Sequence, residues 1–230
     1  MSYFNNSLKS IYEDLPMAKY GHFSQYVRTL SLHQESESRE FWSSLLKGAS
    51  MTEIMPRVDV DSQMPSELHF CAPRTVEINN ALPDSITAAC VVKAAWAFVL
   101  SQYTTASDLL FGEIASGRNL PDPCMEKIGG RCVNMVVVRI AMQHDWTTLD
   151  LLRFMQDQKI LRLSHECFGF QKILQECRDL PSSGHFASRI NHRSGDFDTG
   201  LTLDGKSYTI SEADSTVALR VVDHFEPNKN

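Results

Sequence analysis

Apolar positions recur at helical spacing through the first fifty residues. Leu8, Ile11, Tyr12 and Leu15 fall at i, i+3, i+4 and i+7, which predicts a short amphipathic helix with Ser7 as its N-cap and Pro16 as its stop. Phe23, Tyr26, Val27 and Leu30 repeat the spacing and predict a second helix. Phe41, Trp42, Leu45 and Leu46 share one face of a third, with Gly48 placed to close it in the left-handed conformation. Residues 51–73 carry Pro56, Pro65 and Pro73 and predict a connecting loop, after which Val76 and Ile78 alternate with polar neighbours as in a half-buried strand.

The pattern then changes character. From Asp84, an expected N-cap, to about Tyr103 the chain is apolar on nearly every side of a helix, which places that helix centrally in the packing. Strands are predicted at 109–116 and 132–141, the second holding the β-branched run Val136-Val137-Val138. Between them two prolines and two adjacent glycines mark an irregular excursion, and excursions of that length inside a compact domain tend to carry function. Thr147 or Thr148 caps a helix to about Leu163, and HECFGFQKILQEC reads as a shorter one, with His165 and Glu166 at its opening turn and Glu166 serving the helix dipole. From Phe186 the tail alternates as strands in FASRINH, KSYTI and TVALRVV. Interleaved helices and strands favour an α/β or α+β architecture built in layers.

Composition narrows the function classes. The chain has 230 residues and a net charge of −6, so it offers no basic field for a phosphate backbone or an anionic bilayer, and neither nucleic acid nor a membrane is an expected partner. The apolar run 88–100 is too short to cross a bilayer and carries Lys93. Cys71, Cys90, Cys124, Cys132, Cys167 and Cys177 form no C-x-x-C and no zinc-ligand spacing with histidine. Together with the lack of a secretory signal pattern in the opening residues, this leads to the expectation of reduced thiols in a cytoplasmic protein with no bound metal.

Short catalytic strings are missing. No GxxxxGK[ST] phosphate loop occurs, Gly112 and Gly117 do not complete a dinucleotide fingerprint, and Ser116 lacks the G-x-S-x-G elbow. His192 has Asp196 four residues on, the arrangement of a general base beside an orienting carboxylate. With eight histidines and 28 acidic residues one such spacing is expected by chance, so the pair is a weak catalytic candidate.

Longer stretches carry more information when taken in order. HFSQYVRTL and EFWSSLLKGAS, then CVVKAAWAFVLSQYTTASDLLFGEIASGRNLP, then IGGRCVNMVVVRI, then SHECFGFQKI and FASRINHR resemble, in order and spacing, the second half of a condensation domain of fungal nonribosomal peptide synthetases. Two positions depart from the family pattern: Met135 stands where threonine is usual, and Cys167 stands in place of a second histidine.

The resemblance implies one lobe of a chloramphenicol-acetyltransferase-like fold, a two-layer α+β arrangement with a mixed sheet backed by helices. Residues 1–230 are expected to form a single partial domain, with 1–50 a helical lead-in, 74–225 the lobe core and about 116–131 a floor loop. Two carrier-protein phosphopantetheine arms would enter as substrates, no cofactor being bound, and their acyl and amine ends would be joined as an amide. Tunnel-lining roles fall by residue match on Ser116, Gly117, Arg118, Asn134 and Asn191. The family's His-His-x-x-x-Asp-Gly loop does not occur in this sequence; the chain is expected to begin just past it, to stop short of the family's last strand and helix, and to be inactive alone. Carrier proteins and the N-terminal lobe are the implied partners, and self-association is a further expectation for an exposed lobe face. The alternatives are a non-catalytic interaction lobe and a repurposed small-molecule catalyst.

Overall fold

The computed structural model describes residues 2–32, 35–54, 83, 85–118, 125, 127–130, 132–176, 179–180, 185–194, 200–203, 206–209 and 219–223. Three helices lead in: α1 (Ser2–Tyr12), α2 (Phe23–Leu32) and α3 (Glu35–Leu45). Helix α1 starts earlier than its apolar spacing predicts and runs through Ser7, which therefore caps nothing. Gly48 follows α3 at φ 69°, the left-handed conformation expected of it. The strand expected around Val76 and Ile78 lies outside the described residues.

Helix α4 (Ala88–Thr104) begins after Thr87, not at Asp84, which lies outside the described residues. It leads into β1 (Asp108–Ser116), which pairs antiparallel with β2 (Val133–Ala141) along its whole length. Helix α5 (Thr148–Arg162) opens on a capping box in which the Thr147 hydroxyl accepts from the Asp150 N–H and the Asp150 carboxylate accepts from the Thr147 N–H. The predicted second helix is in fact split. A 3-10 turn occupies Leu163–Phe168, the chain breaks at Gly169, and α6 covers Phe170–Glu176.

Strand β3 (Arg189–Ser194) lies parallel to β1 and to β6 (Leu219–Asp223), giving a four-stranded mixed sheet of order β2-β1-β3-β6. Strands β4 (Gly200–Leu203) and β5 (Lys206–Thr209) form a separate hairpin against which α1 packs. Period-two alternation divides the central strands between two apolar clusters. Leu109, Phe111, Val138 and Ile140 face α4 and α5, where Cys90, Ala97, Leu100 and Met155 complete one cluster. Leu110 and Val137 point the other way, into a cluster with Trp42 and Leu46 at the end of α3 and Ile173 and Leu174 of α6. The expected mixed sheet backed by helices is present.

Candidate functional site

The sequence LLFGEIASGR builds the site by alternation. Phe111 and Glu113 share the face of β1 that α4 covers, so a carboxylate is carried under an apolar helix. Burying a lone charge there is prohibitive, and the chain answers with two cations. Lys93 of α4 donates to both Glu113 carboxylate oxygens at 3.1 Å, and Arg162, the last residue of α5, pairs with the same carboxylate. Arg162 also reaches Glu166 of the 3-10 turn at 3.4 Å and the Val137 carbonyl at 3.3 Å. Lys93 and Arg162 are each 1% exposed, so the four side chains form a buried, charge-balanced quartet. Burial pushes the Glu113 carboxyl up, but the Arg162 and Lys93 charges outweigh it and hold the group below its usual range. Glu166, expected to serve a helix dipole, is instead inside this quartet.

The quartet is joined to the entrance of β2. Asn134 donates through its side-chain amide to the Glu166 carbonyl at 2.6 Å and accepts from the Met135 N–H at 2.9 Å. With Ile114, Val133 and Met135 it borders a shallow open cavity of about 270 Å³.

Beyond β1 the floor loop folds back on itself. Arg118 donates to the carbonyls of Ile128 and Gly130 at 3.0 and 2.9 Å, while its backbone N–H lies 3.4 Å from the Ser116 hydroxyl. The Gly21 N–H donates to Lys127 and the Gly129 N–H donates back to Gly21, strapping the start of α2 to the same loop. Gly117 is needed at the crossing: a Cβ there would stand 2.5 Å from the Cys132 carbonyl oxygen and closer still to the Tyr26 hydroxyl. Tyr26, Met125, Ile128 and Cys132 make a small buried cluster beneath the loop, with Cys167 packed against it.

The expected site residues separate into two groups. Ser116, Gly117, Arg118 and Asn134 come together at one end of the β1–β2 pair, where Ala115 faces Asn134 and Ser116 faces Val133. Arg118 spends one guanidinium nitrogen and Asn134 its side-chain amide on loop and turn carbonyls, which holds backbone in place, while the Arg118 Nε is buried without a hydrogen-bond partner among the described residues. Asn191 and His192 sit half-buried on β3 next to Arg220 and Val221 of β6, past the residues through which β3 pairs with β1. Asp196 lies outside the described residues, as does the floor loop between Arg118 and Met125. Tyr26 and the quartet were not singled out by motif, although Lys93 inside an apolar helix already demanded a buried partner. Ser38 and His165 were missed as a pair: the hydroxyl lies 3.0 Å from the His165 Nδ1, and the ring stacks on Phe41.

Burial pushes the Tyr26 phenol from 10.0 to about 12, with Cys167 and Cys132 adding to the rise and Arg118 opposing it. Burial, then Glu166, pushes the Cys167 thiol from 9.0 to about 11. Both groups hold their protons longer folded than unfolded, so their contribution to stability is complete below pH 9 and is lost as pH rises to about 12. Urea midpoints measured across that window are expected to fall, and the fall above pH 10 is expected to shrink in Tyr26→Phe. An identical pH profile in the variant would disprove the assignment to Tyr26.

Comparison with known proteins gives a consistent answer. A family model described as condensation domain matches residues 1–209. The nonribosomal peptide synthetase easA of Emericella nidulans is 40% identical over 93% of this chain, and nonribosomal peptide synthetase 1 of Aspergillus fumigatus is 31% identical over 96%. This chain spans only 3% of the length of each. Among solved structures, the crystal structure of CT superposes with a TM-score of 0.73 at 26% identity, covering 96% of this chain and 51% of that one. The starter condensation domain of rhizomide synthetase RzmA superposes with a TM-score of 0.67 at 16% identity, covering 96% and 51%, which shows the shared fold.

Proposed function

The chain belongs to the condensation-domain family, and from that premise we propose that it forms one lobe of a nonribosomal peptide synthetase condensation domain and supplies the floor on which two carrier-protein arms meet. One arm brings an acyl or peptidyl thioester and the other an amine. Attack of the amine on the thioester carbonyl forms the amide and releases the first arm as its thiol. Catalysis then rests on proximity and on support for the tetrahedral oxyanion.

The observation that carries this reading is the pinned loop after β1. Ser116, Gly117 and Arg118 leave the sheet at a crossing that admits no side chain, and Arg118 fixes the returning chain by the carbonyls of Ile128 and Gly130. The described ends of the loop, held from within in this way, present a preset surface to a flexible substrate arm, which saves ordering cost when the arms bind. Arg118 acts here as a positioning residue. The histidine loop of the family is absent from this sequence, and this reading assigns the proton-handling and oxyanion chemistry to the other half of the domain.

The test uses an acyl-loaded and an aminoacyl-loaded carrier protein, with mass spectrometry of the products. This chain alone is expected to give no amide above the uncatalysed rate. Co-expressed with the complementary half of the easA condensation domain, it is expected to restore transfer. Turnover by the chain alone would overturn the division of labour, and a formed complex without transfer would overturn the assignment of function.

A further inference from the structure

Packing assigns α2 to the loop between β1 and β2 rather than to the sheet. Two apolar clusters hold the sheet, and among the described residues no side chain of α2 belongs to either. The buried ring of α2, Tyr26, lies instead with Met125, Ile128 and Cys132, and Leu30 one turn on packs against the same group. Met125 and Ile128 belong to the excursion between the two strands, and Cys132 stands immediately before β2. The apolar side chains that α2 buries are therefore buried against that excursion and its return. The sheet fixes where the loop begins and ends, and α2 bears on where those ends go.

Three contacts make the attachment. Gly21, at the approach to α2, donates its N–H to the Lys127 carbonyl at 3.0 Å and accepts at its own carbonyl from the Gly129 N–H at 3.2 Å. The Phe23 ring lies against Gly130, where an added Cβ would meet it at 2.7 Å, and Gly130 holds a φ of 142° that other residues rarely adopt. The Tyr26 hydroxyl lies against Gly117 at the crossing, and the Phe23 and Tyr26 rings stand 5.5 Å apart, so the two side chains support each other. Gly117 in turn donates its N–H to the Cys132 carbonyl at 2.5 Å and accepts from the Cys167 thiol at 3.8 Å. Displacing Tyr26 would thus disturb both the departing and the returning chain.

We propose that α2 is a clasp on the loop and that Phe23 and Tyr26 are positioning residues, holding its ends at Gly130 and Gly117 through contacts separate from those that hold the sheet. This rests on the proposed function for what the loop ends meet, and adds which residues set their place. A segment with its own small set of contacts opens locally at a free energy set by those contacts, not by global stability. Helix α2 and the loop ends are therefore one opening unit, and the β1–β2 ladder is another. A substrate arm meets loop ends whose order is supplied from about 90 residues upstream in the chain.

The experiment is amide hydrogen exchange of the full chain, read by NMR at Gly21, Gly117 and Gly129 and, as the reference, at Val136 and Val138 in the β1–β2 ladder. Tyr26→Leu is expected to speed exchange at the three glycines by at least about tenfold while Val136 and Val138 keep their rates. Tyr26→Phe keeps the ring and removes only the hydroxyl that meets Gly117, so its effect is expected at Gly117 and not at Gly21 or Gly129. Ile140→Val, in a sheet cluster, is expected to give the converse, faster exchange at Val136 and Val138 with the glycines unchanged. A uniform rise across loop and strands in Tyr26→Leu, or glycines that keep their rates in both Tyr26 variants, would overturn the clasp. Transfer between loaded carrier proteins in the presence of the complementary half of the easA condensation domain then reads positioning: Tyr26→Leu is expected to raise KM for the carrier protein several-fold with kcat retained. Selective loosening of the glycines with KM unmoved would sustain the clasp while refuting the loop as a substrate surface.

Discussion

Glu113→Ala is expected to lower the folding free energy by about 3–5 kcal/mol, because it strands two buried cations rather than deleting one favourable contact. Lys93 and Arg162 are both shut off from solvent, and after the substitution only Glu166, 3.4 Å from Arg162, remains to balance them. Against a total stability of about 5–15 kcal/mol for an ordinary domain, such a loss would leave much of the protein unfolded on mild heating. Urea unfolding followed by far-UV circular dichroism measures it. The comparison that gives the result meaning is Lys93→Met together with Glu113→Leu. That pair of changes leaves Arg162 and Glu166 to balance each other and fills the space with apolar atoms, so most of the stability is expected to return. If the double variant is as damaged as the single one, charge balance is not what the carboxylate provides.

Trp42→Ala is the second large effect, again about 3–5 kcal/mol. The indole is fully buried at the end of α3, edge-on to Phe41 with centroids 5.2 Å apart, and its Nε1 donates to the His165 carbonyl at 3.1 Å. Removing it empties a volume between α3, the 3-10 turn and α6, and leaves that carbonyl without the indole. Trp42→Phe retains most of the apolar volume but not the donor, so it is expected to fall between the two. Thermal unfolding of the three proteins orders them. A Trp42→Ala midpoint within a degree or two of the parent would show that the cluster around Leu46 and Ile173 stands without it.

Helix α3 and strands β1 and β2 were legible in the sequence because their periodicity is backed by burial, whereas the apolar series of α1 and α2 is largely exposed. Phe41, Trp42, Leu45 and Leu46 define a face that the structure uses as expected, and the β-branched run of β2 is fully buried where it pairs with β1. Helix ends were less legible. Ser7 looked like a cap because Leu8 opens the apolar series, but the residues before it extend the same helix. The segment from His165 to Glu176 reads as one helix, whereas the structure closes a 3-10 turn at Phe168 and restarts as α6 after Gly169, whose φ of 87° a helix cannot contain.

The site divides along the same line. Ser116, Gly117 and Arg118 could be found because they form one string, and Asn134 because it follows the paired glycines. Glu113 lies in that string too, but its partners are supplied 20 and 49 residues away, from α4 and α5. No local pattern announces such a meeting. Tyr26 reads as an apolar helix position within the string HFSQYVRTL. Its hydroxyl matters because the crossing at Gly117 brings it there, a fact of packing and not of spacing.

The strand order has a consequence for how the chain assembles. β1 and β2 are near neighbours in sequence and can zip together early, whereas β3 reaches β1 by pairing Gly112 with Arg189 and Glu113 with Ile190, more than 70 residues away. Closing that loop costs entropy before any contact repays it, so the sheet is expected to finish slowly. During synthesis on a ribosome, β1 would wait with one unpaired edge while α5, the turn and α6 emerge. Helix α4, already made, can cover the face that carries Glu113 and Phe111 during this wait, but it cannot cover the edge. A nascent chain stalled between β2 and β3 is therefore the species most open to wrong strand pairing, and a chaperone acting on this protein would find its target there.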